Sequence, residues 1–147
     1  IEDEKADEKD WAMLMIDLNG LKNTNDNYGH EAGDIMIKTA AKIISSVYGE
    51  NGYCYRIGGD EFVVIIDADK DALDNLRVKM KSTIEEYNMT NQYHVSMAVG
   101  EARLRDEQGN KGSISDWKMN ADMDMYRDKD GFHKTLRRMP RLENLSE

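Results

Sequence analysis

The chain has 147 residues, about one domain's worth, and enough to bury a core without a disulfide or metal staple. Hydrophobic residues make up 39% and charged residues 33%, and no run of 18 apolar residues occurs, so no segment of this sequence is expected to span a bilayer. The net charge of −9 argues against a reader of nucleic-acid phosphates, and a polyphosphate substrate would need a cation between it and so acidic a protein.

Residues 1–10 hold six acids and two lysines and read as a solvated terminus. The first residue is Ile1 rather than Met, so an upstream sensory or membrane segment is expected in a longer protein. Trp11 to Ile16 is a short unbroken apolar run closed by Asp17, which suits a strand buried on both faces. Residues 17–34 are rich in Asn, Asp and Gly and read as a loop. Ala32, Ile35, Met36, Thr39, Ala40, Ile43, Ile44 and Val47 then recur at three and four, a helical stripe ending near Gly49. Tyr53 to Ile57 and Phe62 to Ile66 are strand-like, with Gly58-Gly59-Asp60 as a tight turn between them. Cys54 stands alone, which excludes an intrachain disulfide and fits a reducing, cytoplasmic setting. Leu73, Leu76, Met80, Ile84 and Tyr87 give a second helix, and Tyr93 to Leu104 a further strand. After a polar loop, Ile114, Trp117, Ala121 and Met125 give a third helix, capped by Ser113 or Ser115. There is no repeat, linker or second domain. The order predicts a single α/β domain, an α+β sandwich with a mainly antiparallel sheet and helices packed on it.

Three constellations can carry chemistry. Asp17 ends a buried strand, as either a solvated acid or a metal ligand. Asp60 and Glu61 sit on an apolar hairpin, as either ordinary turn chemistry or partners of Asp17. If the strands pair, three carboxylates converge and repel unless a divalent cation neutralises them; hard oxygen ligands suit Mg²⁺. In the 17–34 segment, Asn25 offers a donor and an acceptor and Asp34 two acceptors, a set that matches the edge of guanine. An acid such as Asp34 early in a helix also simply favours the helix dipole.

Arg56-Ile57-Gly58-Gly59-Asp60-Glu61-Phe62, together with the 17–34 segment, closely resembles the GGDEF domain of bacterial diguanylate cyclases. Residues 96–102 (SMAVGEA) resemble the family's later strand, and residues 121–131 (ADMDMYRDKDG) its C-terminal helix. The resemblance runs from about Trp11 to Gly131, placing the domain core at about 11–134. It implies a palm-like sheet flanked by helices, similar to class III nucleotide cyclases. It implies condensation of two GTP into cyclic di-GMP and two pyrophosphates, with two Mg²⁺ or Mn²⁺ ions per site, at a homodimer interface. By position, Asp17, the Leu18 carbonyl, Asp60 and Glu61 resemble the metal ligands, with Asp60 and Glu61 catalytic. Asn25 and Asp34 resemble the guanine readers, with His30 lining the pocket. Lys22 and Lys129 resemble the triphosphate lysines, Arg56 the arginine before the signature, and Gly58 and Gly59 the glycines against which nucleotide lies. For Lys129, a snorkelling or helix-terminal role is the alternative.

Three departures stand out. The family's inhibitory arginine and aspartate upstream of the signature are Gly49 and Gly52 here. Gly131 comes one residue early and is followed by Phe132 and His133 instead of an arginine and an asparagine. The family's opening aspartate-x-leucine-threonine segment is not found in residues 1–10. A GTP-binding sensor or regulatory module is therefore the alternative to an active cyclase.

Overall fold

A computed structural model describes residues 9–106 and 108–138, with residues 130–138 described by backbone alone. The acidic start of the chain, residues 1–8, thus lies outside the described residues. Four strands form one antiparallel sheet in the order β2-β3-β1-β4: β1 (Trp11–Leu18), β2 (Gly52–Arg56), β3 (Glu61–Asp67) and β4 (Met97–Arg103). The helices are α1 (Leu21–Tyr28), α2 (His30–Tyr48), α3 (Lys70–Thr90) and α4 (Ile114–Arg138). This is an α+β sandwich, with helices on both faces of the sheet.

β1 is central, and all eight of its residues are buried, as its unbroken apolar run requires. Its alternation divides the core. Ala12, Leu14, Ile16 and Leu18 pack with Met36, Ala40, Ile44, Val47 and Tyr48 of α2 and Leu73 and Met80 of α3. Trp11, Met13 and Met15 pack on the other face with Trp117, Ala121 and Met125 of α4.

Three expectations change. The 17–34 segment is not a loop: it holds α1 and the first turn of α2, separated by Gly29 at φ 90° and preceded by Gly20 at φ 77°. Left-handed glycines at both boundaries let the chain enter and leave a short helix that its asparagines disfavour. Buried Thr24, whose hydroxyl meets the Met36 sulfur at 3.9 Å, anchors that helix on α2. Secondly, Ile35 is 50% exposed and stands outside the α2 stripe, where buried Gly33 and Tyr48 belong instead. Thirdly, the last strand begins at Met97 rather than at Tyr93. The Asn88 side chain takes both backbone groups of Val95, accepting from its amide at 2.8 Å and donating to its carbonyl at 2.9 Å, in place of a strand partner.

Candidate active site

The end of β1 is where the chain concentrates its chemistry. Asp17 lies opposite Glu61 in the β1–β3 ladder, so the two share the sheet face that α4 covers. The Leu18 amide donates to the Asp60 carbonyl at 2.8 Å, and the Asn19 amide to the Ser96 carbonyl at 2.8 Å. The strand end is thereby stitched to the signature hairpin on one side and to the approach to β4 on the other.

Asp17 is only 5% exposed. Its Oδ2 accepts from Lys129 Nζ of α4 at 2.7 Å, while its Oδ1 is buried and has no hydrogen-bond partner among the described residues. Asp60 stands beside it: burial first, and the Asp17 charge next, lift the Asp60 carboxyl above the ordinary aspartate range. The hydrogen bond to Asp17 holds the Lys129 ammonium above the ordinary lysine range, against the opposing pull of burial.

A buried carboxylate oxygen without a donor, next to a second carboxylate, is costly to leave unpaired. A small divalent cation with a preference for hard oxygen donors relieves both groups at once, so these residues fit one. Among the described residues, no three His, Cys, Asp or Glu side chains are gathered as a ligand cluster. The close pair is Asp17 and Asp60. The Glu61 carboxylate instead lies toward Gly58, with Oε2 3.7 Å from where a Cβ of residue 58 would stand. A two-carboxylate site suits an ion that keeps water and substrate oxygens in its shell.

The diglycine turn is tied from behind. Arg56 donates through Nε to the Gly58 carbonyl and through Nη2 to the Gly59 carbonyl, each at 3.0 Å. The φ angles of Gly58 and Gly59 are not in the left-handed region, and a Cβ on Gly59 would meet nothing within 4 Å. Neither backbone conformation nor internal packing therefore demands glycine here, and the turn leaves open space on its outer side.

The α1–α2 hairpin sets the Asn25 side chain against α2 at Gly33. Asn25 lies so close over α2 that a Cβ on Gly33 would sit 1.7 Å from its Oδ1. Asp34 follows Gly33 and is exposed. Lys22 and His30 are exposed near the starts of α1 and α2.

Gly33 was not singled out by sequence reasoning, although a glycine inside a helical stripe is a signal of close approach. Asn19 was also missed: its Nδ2 donates to Ser96 Oγ at 3.0 Å, and its Oδ1 is buried without a partner among the described residues.

Comparison with known proteins gives the site its context. The family described as "Diguanylate cyclase, GGDEF domain" matches residues 1–134. The diguanylate cyclase DgcS of Shewanella oneidensis is 35% identical over 91 residues, covering 62% of this chain and 31% of that protein. The bifunctional diguanylate cyclase/cyclic di-GMP phosphodiesterase MucR of Pseudomonas aeruginosa is 33% identical over 128 residues, covering 84% of this chain and 18% of that protein. The chain thus spans less than a third of the length of either relative. The active GGEEF domain of a diguanylate cyclase from Vibrio cholerae superposes with a TM-score of 0.74 at 25% identity, covering 86% of this chain and 81% of that one. With the family match running through the first strand, the signature hairpin and the helix that carries Lys129, the chain belongs to the GGDEF family of diguanylate cyclase domains.

Proposed function

We propose that this chain condenses two GTP into cyclic di-GMP and two pyrophosphates. The observation that carries the proposal is the buried, unpartnered Oδ1 of Asp17 beside Asp60, at the foot of an open diglycine turn. Asp17 and Asp60, with the Leu18 carbonyl, would hold Mg²⁺ or Mn²⁺, and Glu61 would join them once its carboxylate turns from Gly58; the ion when bound would neutralise triphosphate charge and activate the attacking oxygen.

The chain's own residues do the rest. Asn25 and Asp34 bind the guanine edge, with His30 lining the pocket. The outer side of Gly58 and Gly59 takes the nucleotide backbone-close, and Arg56 keeps that turn stiff. Lys22 and Lys129 attract the triphosphate. The 3′-oxygen of one nucleotide attacks the α-phosphorus of the other, forming the O3′–P bond as the bond to pyrophosphate breaks; the proton passes to the Asp60 carboxylate. The same step repeats in the opposite sense to close the ring.

One such pocket takes one nucleotide, so the reaction needs two copies related by a two-fold axis. A partner segment upstream would control that meeting. With Gly49 and Gly52 in place of an arginine and an aspartate, the family's product-inhibition site is missing, and inhibition by product is competitive with GTP. No helix among the described residues is long and apolar enough to cross a membrane; separately, the lone Cys54 suits a reducing compartment, which supports a cytoplasmic setting for the proposed reaction. The altered block at Gly131, Phe132 and His133 favours a second function, a GTP-binding regulatory module.

The test is incubation of the chain, alone and fused to a dimerising partner, with GTP and Mg²⁺, followed by chromatography. Cyclic di-GMP is the expected product of the dimerised form. Guanine-selective binding without product would transfer the assignment to the regulatory module.

A further inference from the structure

β4 is an edge strand, yet two of its outward amides are taken by side chains of α4. The Val99 amide donates to Asp128 Oδ2 and the Glu101 amide to Asp124 Oδ2, each at 2.8 Å. The spacing is a geometric match. Two residues along a strand rise about 6.8 Å, four along a helix about 6 Å, so carboxylates at i and i+4 meet amides at j and j−2. Small residues make the approach possible: the β4 face toward α4 is Ala98, Gly100 and Ala102. A Cβ on Gly100 would lie 2.1 Å from the Met125 nitrogen and 2.4 Å from the Ala121 oxygen. The helix rests directly on strand backbone.

Lys129 follows Asp128 and reaches Asp17 at 2.7 Å. We propose that Asp128 is a positioning residue: its bond to the Val99 amide fixes the rotation and register of α4 on β4, and so seats the Lys129 ammonium on Asp17. Asp124 makes the same bond five residues before Lys129, more than one helical turn away, and serves docking alone. A purely structural role would treat the two aspartates alike; a positioning role separates them.

The functional weight of this inference rests on the triphosphate role proposed for Lys129, but the seating itself is measurable without nucleotide. The experiment is amine-reactive labelling of the whole chain, with modification at Lys129 read by mass spectrometry. In Asp128→Leu, Lys129 should label at least threefold faster than in the wild type, approaching the rate in Asp17→Asn. Asp128→Asn keeps an acceptor for the Val99 amide and should restore protection. Asp124→Leu should stay within a factor of 1.5 of the wild type while losing comparable thermal stability. Unchanged labelling in folded Asp128→Leu, or equal acceleration in both Leu variants, overturns the inference.

A second arm titrates a non-cleavable α,β-methylene GTP with Mg²⁺. Asp128→Leu and Lys129→Met should each weaken binding about fivefold or more, and the double variant should be no weaker than Lys129→Met alone. Additive losses would overturn the coupling. A wild type that protects Lys129 but binds no analogue would remove the nucleotide assignment and leave the positioning role standing.

Discussion

Gly33→Ala separates stability from guanine recognition. Residue 33 is helical with an ordinary φ, so alanine improves local helix propensity by up to about 1 kcal/mol. The new Cβ, however, would lie 1.7 Å from Asn25 Oδ1 and 2.8 Å from its Cγ. Those atoms are the far end of a flexible side chain, so Asn25 swings away at little cost to the fold. Under the proposed role of Asn25, guanine then loses a partner. An unmade hydrogen bond in a closed site costs about 1–3 kcal/mol, or roughly 5- to 150-fold in affinity. Calorimetry with α,β-methylene GTP and Mg²⁺ should show that loss, with a melting temperature within a few degrees of the wild type. Asn25→Ala should show a similar loss, and the double variant should lose no more than either alone, because both changes act through one side chain. Unaltered affinity in Gly33→Ala, or losses that add, would refute the assignment of Asn25 to the base.

Gly100→Ala should destabilise the fold by about 2–3 kcal/mol in urea unfolding, because its Cβ strikes helix backbone at 2.1 Å and not a movable side chain. Gly59→Ala should leave stability within about 0.5 kcal/mol, since its Cβ meets nothing within 4 Å, while lowering cyclic di-GMP formation at least tenfold in the dimerised chain. Asp69 caps α3 by accepting from the Ala72 amide at 2.8 Å, so Asp69→Ala should cost about 1 kcal/mol by the same unfolding measurement and leave nucleotide affinity unchanged.

The sequence carried the sheet well because its signals there are local. The apolar runs at 11–16 and 62–66 and the turn at 58–60 each declare a strand or its end without reference to partners. The same holds for α4, where Ser113 proves to be the cap, its Oγ accepting from the Asp116 amide at 3.1 Å. What escaped depends on contacts distant in sequence. Composition alone makes residues 21–28 a loop, and tertiary packing of Thr24 against α2 makes them a helix. Nothing local marks Asp124 and Asp128 as partners of a strand, since the amides they accept from are 23 and 29 residues away. The site divides likewise. Strands that end in acids predict that Asp17, Asp60 and Glu61 converge if they pair; pairing does put Asp17 opposite Glu61, but nothing in the sequence says that the Glu61 side chain lies toward Gly58 while Lys129 takes Asp17.

Asp17 and Asp60 repel each other as neighbouring carboxylates, and the proposed divalent cation would relieve that repulsion. In metal-free buffer the folded Asp60 carboxyl is lifted above the ordinary value of 3.8, so its charged form opposes folding above that pH and the penalty disappears as pH falls below it. Thermal melts of the wild type and Asp60→Asn, with and without Mg²⁺, test this directly. Without metal at pH 7, Asp60→Asn should melt higher by about 2 °C, the scale of a partly exposed charge pair, and the gain should vanish near pH 3. With saturating Mg²⁺ at pH 7 the order should invert, the wild type gaining several degrees and the variant little. A variant that is less stable without metal, or an unchanged order when Mg²⁺ is added, would contradict the claim.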